Sequence, residues 1–301
     1  MAVSNDYLRR LTRRDLAVGL LALPMITSAC ASGPTASEGW PLWRAERNGK
    51  HAYLTGGTPP RQTDWRQARI ETIAAGCDLI WTETNKISRG TIRDVVMRLG
   101  VDASAPLSER IPERDWLRVK TAAAQAGVTI ESINQFRPWL AAHTIGEASD
   151  ESRGWVGQSA ESAIAAAALQ SGKEVRSEFP FQEDVIEWFG RMTAQQSLES
   201  LRFTLDEVLS PISEETAKFD AWSRGDMRPA TEWMSNVRTL YPSFYEAAVI
   251  ERNRDWIARF DSMLSENRNG LVIVGLYHLV GPDSVQENLS RTGFTVRRDV
   301  V

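Results

Sequence analysis

The sequence predicts an α/β fold, with a central mostly parallel or mixed sheet flanked by helices and a largely helical middle insertion. Strand and helix signals alternate from residue 52 onward, and this alternation is typical of parallel sheets. A short apolar run, residues 271–274, ends at Gly275, and His278 follows three residues later. Because open α/β sheets bind ligands at the carboxyl ends of their strands, His278 is the first candidate for a functional side chain.

The individual elements follow from local signals. Strands are short apolar runs bounded by glycine or polar residues, whereas helices are marked by caps, apolar periodicity and stop residues. The predicted strands are residues 52–55, 78–84, 128–133, 173–179, 271–274 and 294–298. The predicted helices are residues 64–75 with Thr63 as cap, 113–125 closed by Gly127, 160–170, a long or broken 182–209 stopped by Pro211, 230–240, 244–264 and 283–291.

The amino-terminal residues have the features of an export signal. Arg13 and Arg14 precede an apolar segment, residues 16–26, which is short for a membrane span and is followed by small residues. The paired arginines favour the Tat route, although a general secretory signal with extra charge has a similar pattern. We expect residues 1–30 to be the signal, residues 31–40 a flexible tether and residues 41–301 the folded domain.

Two cleavage sites fit the end of this signal. Cys30 fits a lipobox, in which it becomes the lipidated first residue of the mature protein, and residues 29–31 also fit a plain A-x-A site that releases a soluble protein. Either reading predicts a periplasmic or cell-envelope protein, with membrane attachment only through an amino-terminal lipid. If Cys30 carries lipid, the second cysteine, Cys77, has no disulfide partner and is expected to be an inert buried thiol.

Composition narrows the class of protein. The chain is 42% hydrophobic and 25% charged, which is ordinary for a soluble globular protein. Its net charge is -4, and residues 1–29 contain four arginines against two aspartates, so the remainder is more acidic still. A basic surface for nucleic acid is therefore not expected, and we predict no nucleic-acid partner.

Several segments of the chain share an order and spacing with a known family. They are P-L-W-R-A-E-R-N-G-K-H-A-Y-L-T-G-G-T (41–58), D-L-I-W-T-E-T (78–84), G-K-E-V-R-S-E-F (172–179), A-W-S-R-G-D (221–226), E-R-N-R-D-W-I (251–257) and G-L-Y-H-L-V-G (275–281). Together they resemble the TraB/GumN family, which is related to the Tiki proteases. The resemblance covers the chain from about residue 41 to its end and implies a fold of the erythromycin-esterase and ChaN-like type.

The resemblance also implies a site. In the family, a first G-x-x-H, an acidic residue after the second strand and a second G-x-x-H come together, and the Tiki branch is a metal-dependent protease. Matched residue by residue, the acidic position is Glu83, the second histidine is His278, and Arg252 is the arginine of the family's R-N pair. These three are the predicted catalytic residues, and His278 and Glu83 are the predicted ligands of a divalent metal ion.

The first motif departs from the family pattern. The chain has Gly56-Gly57-Thr58-Pro59, so proline occupies the histidine position and offers no donor atom to a metal. His51 lies five residues before Gly56, some 15 Å away along a strand, and cannot easily replace it. A hydrolytic metal normally has about three protein ligands, so the site is one short unless Glu178, Asp226 or another carboxylate joins it.

Each candidate residue has a structural alternative. Glu83 is predicted to be a general base whose proton affinity is raised by poor solvation, or else to form a salt bridge with Arg252. Arg252 would hold an anionic substrate group or anchor a helix on the sheet. Glu178 ends a predicted strand and would join the same rim or lie at a solvated edge.

The remaining predicted site residues are assigned to substrate binding. Gly56 and Gly57 would adopt positive φ and let a substrate backbone approach closely. Glu178 and Tyr277 complete the predicted substrate-binding set. A shared site further requires the Glu83 and His278 side chains to lie within about 8 Å of each other.

Two functions are consistent with this pattern. The retained Glu83, Arg252 and His278 favour an exported hydrolase, protease-like and dependent on a metal ion, acting on a peptide or small molecule. The missing first histidine favours a degenerate member that binds a peptide, glycan or haem-like ligand without turnover.

Overall fold

The computed structural model describes residues 39–59, 67–85 and 87–299. The predicted signal, Cys30, most of the predicted tether and Thr63 lie outside these ranges. The described residues belong to one compact unit. Within them, every helix is too short or too polar to cross a bilayer.

A six-stranded mixed sheet forms the centre of the described chain. Its spatial order is β4-β3-β5-β2-β1-β6. The first four of these strands are mutually parallel, whereas β1 pairs antiparallel with both β2 and β6. The mostly parallel or mixed sheet predicted from sequence is confirmed. The strands are β1 Leu42–Arg47, β2 Lys50–Gly57, β3 Leu79–Thr84, β4 Glu174–Phe179, β5 Gly270–Gly275 and β6 Thr295–Arg298.

Helices cover the sheet and fill the long interval between β3 and β5, as the predicted helical middle requires. Those before β4 are α1 Ala68–Gly76, α2 Ile92–Gly100, α3 Leu107–Arg110, α4 Glu113–Gln125, α5 Ile130–Ile133, α6 Pro138–Ser152 and α7 Ala160–Gln170. Those after β4 are α8 Gln182–Gly190, α9 Ala194–Leu209, α10 Ile212–Ser223, α11 Arg228–Leu240, α12 Pro242–Tyr245, a π-helix Glu246–Glu251, α13 Arg252–Ser265, a 3-10 turn Leu276–Leu279 and α14 Val285–Arg291.

The central strand β5 shows why the apolar run in its sequence is a strand. Leu271, Val272, Ile273 and Val274 are all buried. Its neighbours β2 and β3 are both parallel to it, and helices cover both faces of such a sheet, so every side chain of the strand meets apolar surroundings. The strand therefore needs no alternation of polar residues.

One predicted strand is wrong. Residues 128–133 were expected to extend, but Ile130–Ile133 is a single helical turn, α5, after α4. The Ser132 backbone N–H and hydroxyl both donate to the carbonyl of Thr129. Strand propensity is expressed only where another strand is available for pairing, and this segment lies among helices, where local hydrogen bonds satisfy its backbone.

The long predicted helices are interrupted. Residues 182–209 divide into α8 and α9, and Thr193 begins α9 by accepting a hydrogen bond from the Gln196 N–H, while the Gln196 side chain accepts one from the Thr193 N–H. Residues 244–264 divide into the end of α12, the π-helix and α13. This second interruption determines the geometry of the site.

Candidate active site at the carboxyl ends of the parallel strands

Two glutamates lie side by side where the parallel strands end. Thr82 of β3 pairs with Ser177 of β4, so the next residues, Glu83 and Glu178, lie at the same level on adjacent strands. Their side chains are 16% and 4% exposed, respectively. Two neighbouring carboxylates this poorly solvated repel each other unless a cation lies between them.

Arg252 supplies that cation. Its Nη2 donates to Glu83 Oε1 at 2.7 Å and to Glu178 Oε2 at 2.7 Å, and its Nε donates to Glu178 Oε1 at 3.1 Å. The guanidinium also lies 5.2 Å from the ring centre of Phe179 and 5.7 Å from that of Trp188. Burial alone would lower the pKa of Arg252, but the two carboxylates raise it above its ordinary value, so the arginine stays charged.

The π-helix explains how Arg252 and its neighbour both reach the site. Glu246–Glu251 widens the helix by one residue per turn immediately before Arg252. Arg252 then points to the strand ends, while Asn253 is completely buried and points to the turn after β5. π-Helical turns occur frequently at functional sites, because they redirect side chains that a regular helix would send elsewhere.

His278 meets Glu83 at this edge. It lies in the 3-10 turn directly after β5 and is 1% exposed. Its Nε2 is 2.8 Å from Glu83 Oε1, and its Nδ1 is 2.6 Å from Asn253 Oδ1. The other Glu83 oxygen, Oε2, accepts a hydrogen bond of 2.9 Å from the Gly275 N–H. The predicted proximity of Glu83 and His278 is confirmed.

The protons of this network can be counted. Asn253 Nδ2 donates to the carbonyls of Asp283 and His278, so its Oδ1 faces the imidazole as an acceptor. Nδ1 of His278 must therefore carry a hydrogen, and a proton must also lie between Nε2 and Glu83. Because Glu83 already accepts from Arg252 and Gly275, its carboxyl group is held in the ionised form.

The expected role of Glu83 as a base of raised proton affinity is corrected by these contacts. Burial does raise the pKa of the carboxyl, but the charges and hydrogen bonds of His278 and Arg252 outweigh it and hold the pKa well below its ordinary value. The salt bridge weighed as the alternative is present. Arg252 also takes its structural alternative, since it anchors α13 to the ends of β3 and β4.

Gly56 and Gly57 differ from their expected role. Both lie in β2, and neither has the positive φ that was predicted. At Gly56 an added Cβ would lie 2.4 Å from Trp222 Cζ2, and the Gly56 carbonyl accepts a hydrogen bond from the Trp222 indole. The glycine is there because an indole ring takes the space of a side chain, a tertiary contact that glycine spacing does not reveal.

His51 lies far from the candidate site along its strand. It is in the second position of β2, at the opposite end from Gly57, and its Nδ1 contacts Arg44 at 3.2 Å. Asp226 likewise does not join Glu83: its carboxylate accepts from the Arg228 side chain and backbone. Neither residue replaces the histidine that Pro59 displaces in the first motif.

The metal ion that the resemblance implies does not fit this arrangement. A guanidinium lies 2.7 Å from both carboxylates, and His278 Nε2 faces Glu83 rather than an open position. Within the described ranges, no three His, Cys, Asp or Glu side chains gather as a metal-ligand set. A divalent cation would have to displace Arg252, against the repulsion of its charge.

Tyr277, which was predicted to bind substrate, borders the network. A Cβ at Gly275 would lie 2.8 Å from Tyr277 Cε2 and 3.1 Å from Glu83 Oε2, so the ring and the carboxylate flank the same backbone position. Burial, with Glu207 and Glu83 nearby, raises the pKa of the Tyr277 phenol, which stays neutral. Away from the site, Cys77 is a buried free thiol whose pKa burial raises to about 11.

Sequence reasoning missed two supporting residues. Asn253 follows Arg252 in the R-N pair, and that pairing was the available signal for it. Glu161, at the start of α7, accepts a hydrogen bond of 2.7 Å from the Glu83 N–H and fixes the backbone that presents the carboxylate. No local pattern distinguishes Glu161 from an ordinary first-turn glutamate.

Comparison with known proteins identifies the family. The TraB/PrgY/gumN family model matches residues 41–298. The chain belongs to the TraB/PrgY/gumN family. Glu83, Glu178, Arg252 and His278 all lie within the matched range, so the network is part of the TraB/PrgY/gumN domain. No curated protein and no solved structure matches the chain.

Proposed function

We propose that this TraB/PrgY/gumN protein is an exported hydrolase that cleaves a peptide or small-molecule bond by acid–base chemistry of the Glu83–His278 pair. One observation carries the proposal: the 2.8 Å contact between Glu83 Oε1 and His278 Nε2, with Nδ1 held by a buried asparagine. An imidazole fixed on one nitrogen and paired with a carboxylate on the other is an arrangement suited to proton transfer.

The exposed atoms define the roles. Glu83 and Arg252 are partly exposed, at 16% and 15%, whereas His278 is 1% exposed and lies behind Glu83. In the proposed reaction, water attacks the scissile carbonyl and loses a proton to Glu83, which then protonates the leaving group. His278 stabilises the Glu83 carboxylate before the first of these steps and after the second. Nη1 of Arg252 makes no hydrogen bond to a described residue and is available to the developing oxyanion.

The low pKa of Glu83 must be overcome during the reaction. In the resting network Arg252 and His278 hold the pKa of Glu83 below its usual range, which weakens the carboxylate as a base. As negative charge develops on the substrate oxygen, the Arg252 guanidinium is drawn toward it and away from Glu83. The proton affinity of Glu83 then rises at the step that requires it.

Hydrolysis of fluorescein-labelled casein and of p-nitrophenyl acetate tests the proposal. We expect turnover that survives EDTA and falls about 10²–10⁴-fold in Glu83→Gln, the range for loss of one acid–base group. Glu113→Gln, at an exposed position of α4, is the matched control and should keep full activity. Circular dichroism must show that the Glu83→Gln protein is folded.

The second candidate is a non-catalytic binder of a peptide, glycan or haem-like ligand. It is favoured by the mutual pairing of Glu83, Glu178 and Arg252, which leaves the carboxylates few acceptor positions, and by Pro59 in the first motif. Folded wild-type protein without turnover of either substrate would favour this candidate. About one equivalent of metal bound to the purified protein and lost in His278→Ala would support a metal-dependent enzyme instead.

A further inference from the structure

A cavity lies between α9, α10 and α11, and the residues that line it take no part in the Glu83–His278 pair. We call it the three-helix cavity, and its volume is about 610 Å³. That volume is in the range of small-molecule sites. Its aromatic wall consists of Phe203, Trp233 and Tyr241.

The three-helix cavity carries a surplus of negative charge. Its lining has one basic residue, Lys218, against several acids. Asp206 is already bonded to Arg118 and Tyr241. Glu215 is paired with Lys218, and Glu214 and Glu232 are exposed. Among the described residues, Glu207 is then the acid of the lining that has no cation in hydrogen-bonding contact. The acidic residues of the lining are Asp206, Glu207, Glu214, Glu215 and Glu232.

Lys218 is an independent sign that a ligand belongs here. The residue is 6% exposed, and its Nζ lies 2.9 Å from Glu215 Oε2 and 3.6 Å from the ring centre of Trp233. Glu215 can take only one of the three N–H donors of this ammonium, and within the described residues Nζ has no further hydrogen-bond acceptor. Because buried donors are normally hydrogen-bonded, an acceptor oxygen within the cavity would complete the partners of Lys218.

These two side chains would bind two different groups of one ligand. Glu207 would bind a cation, and Lys218 would bind a neutral or negatively charged oxygen. A primary ammonium next to a carbonyl satisfies both, and a neighbouring apolar side chain would pack on the aromatic wall. This combination is the amino-terminal residue of a peptide.

We propose that the three-helix cavity binds the free amino terminus of a peptide, with the ammonium at Glu207, the first carbonyl oxygen at Lys218 and the first side chain against Phe203, Trp233 and Tyr241. The site stands independently of the proposed hydrolase, since it requires no turnover. It is separated from Glu83 by Tyr277, whose ring centre lies 5.4 Å from that of Trp233.

The charge state of Glu207 makes binding measurable by proton release. Burial is the main cause that raises the pKa of Glu207 to about 8, and the negative charges of Glu215 and Asp150 add to it. The positive charges of Lys218 and Arg153 act in the opposite direction. Tyr277, the other titratable group beside Glu207, stays neutral. At pH 6.5 the carboxyl is therefore mostly protonated, whereas the amino group of a peptide is still charged. An ammonium that reaches Glu207 favours the carboxylate and expels its proton to solvent.

Calorimetry at pH 6.5 with the dipeptide amide Phe-Ala-NH2 and its N-acetylated form tests the site. We expect the free amine to bind at least about tenfold more tightly than the acetylated form, with release of close to one proton, read from two buffers of different ionisation enthalpy. Glu207→Gln should abolish the proton release and weaken binding about tenfold, and Lys218→Met should weaken it by a similar factor. The matched controls Glu113→Gln and Lys120→Met, both on the exposed side of α4, should bind as wild type does.

Several outcomes would overturn the proposal. Equal affinity for the free and acetylated dipeptides would show that the ammonium is not recognised. Absence of binding up to about 10 mM would show that the cavity takes no peptide amino terminus. Unchanged proton release in folded Glu207→Gln would place the ligand elsewhere, and this isosteric variant decides the matter if Lys218→Met fails to fold.

Discussion

Glu83, Glu178 and Arg252 form an ion network in which each charge depends on the others. The Arg252 side chain is 15% exposed, and among the described residues its guanidinium donates hydrogen bonds to these two carboxylates. Removal of one partner from a buried network leaves the others poorly solvated and unpaired. The network is therefore as important for stability as for any chemistry.

Glu83→Gln is expected to lower the free energy of unfolding at pH 7 by roughly 3–5 kcal/mol, the usual cost of breaking a buried ion pair. Glutamine keeps the size of the side chain but not its charge, so Arg252 retains only the Glu178 carboxylate and Nε2 of His278 loses its carboxylate partner. Urea unfolding followed by tryptophan fluorescence measures the change. The control is Glu266→Gln, which removes a surface carboxylate paired with Arg176 and should leave stability nearly unchanged.

The same carboxylate makes stability depend on pH. The pKa of Glu83 is depressed in the folded protein, so its contribution is complete above the unfolded value of about 4.3 and is lost as pH falls below it toward the folded pKa. The wild type should therefore lose more stability between pH 5 and pH 3 than Glu83→Gln does. Parallel losses in the two proteins would contradict the assignment of this carboxylate as ionised.

At the residue scale, sequence reasoning located the right side chains but not their state. Glu83, Glu178, Arg252 and His278 were all selected because they end strands or match a family pattern, and the structure brings them together. Whether a strand-end carboxylate is a base or an ion-pair partner depends on which groups approach from distant elements. Arg252 is 169 residues from Glu83 in the chain, and no local signal joins them.

At the scale of the secondary-structure elements, β2 shows that a glycine can be required by close packing of a neighbouring side chain rather than by a positive φ. Gly56 lies against Trp222 of α10, whereas a Cβ added at Gly57 would make only ordinary contacts, 3.8 Å from Ile273 Cγ2 and from the Val274 carbonyl oxygen. The two adjacent glycines therefore differ in the space that each has for a methyl group.

This difference yields a paired prediction. Gly56→Ala should destabilise the protein by about 1–3 kcal/mol or more, because the Cβ would lie 2.4 Å from Trp222 Cζ2 and 3.1 Å from the Leu276 backbone. Gly57→Ala should change stability by less than about 1 kcal/mol. Thermal unfolding of both variants decides the matter, and equal effects would show that the Trp222 contact is not the cause.

The π-helix is the element that sequence reasoning could not foresee. Residues 244–264 have continuous helical character, and nothing in their apolar pattern marks where an extra residue enters the turn. The widening is compatible with the tertiary contacts of Arg252 and Asn253, which hold the helix against β3, β4 and the turn after β5. Whether a segment forms a helix follows from its local sequence, whereas the widening of one turn depends on contacts with distant residues.

For the molecule as a whole, the amino-terminal export signal and its lipid anchor remain predictions that cell fractionation can test. If Cys30 is lipidated, blocking the lipoprotein signal peptidase should leave an uncleaved precursor, and Cys30→Ser should move the protein from the membrane to the soluble fraction. Cys77→Ser is the matched control, because this thiol is buried within the domain and should not affect fractionation. Unchanged membrane association in Cys30→Ser would reject the lipid anchor.

The sequence by itself determined the α/β class, most strands and helices, the family and the residues at the strand ends, because periodicity, caps and motif order are local properties. Only the tertiary structure decided that Arg252 bridges Glu83 and Glu178, that Asn253 holds Nδ1 of His278, and that three helices line a cavity with a buried lysine. The protonation state of a side chain, its ion-pair partners and the cavity it lines all depend on which distant side chains come within a few ångströms of it. Charge interactions in a poorly solvated interior are strong enough to reverse the direction in which burial alone would shift a pKa.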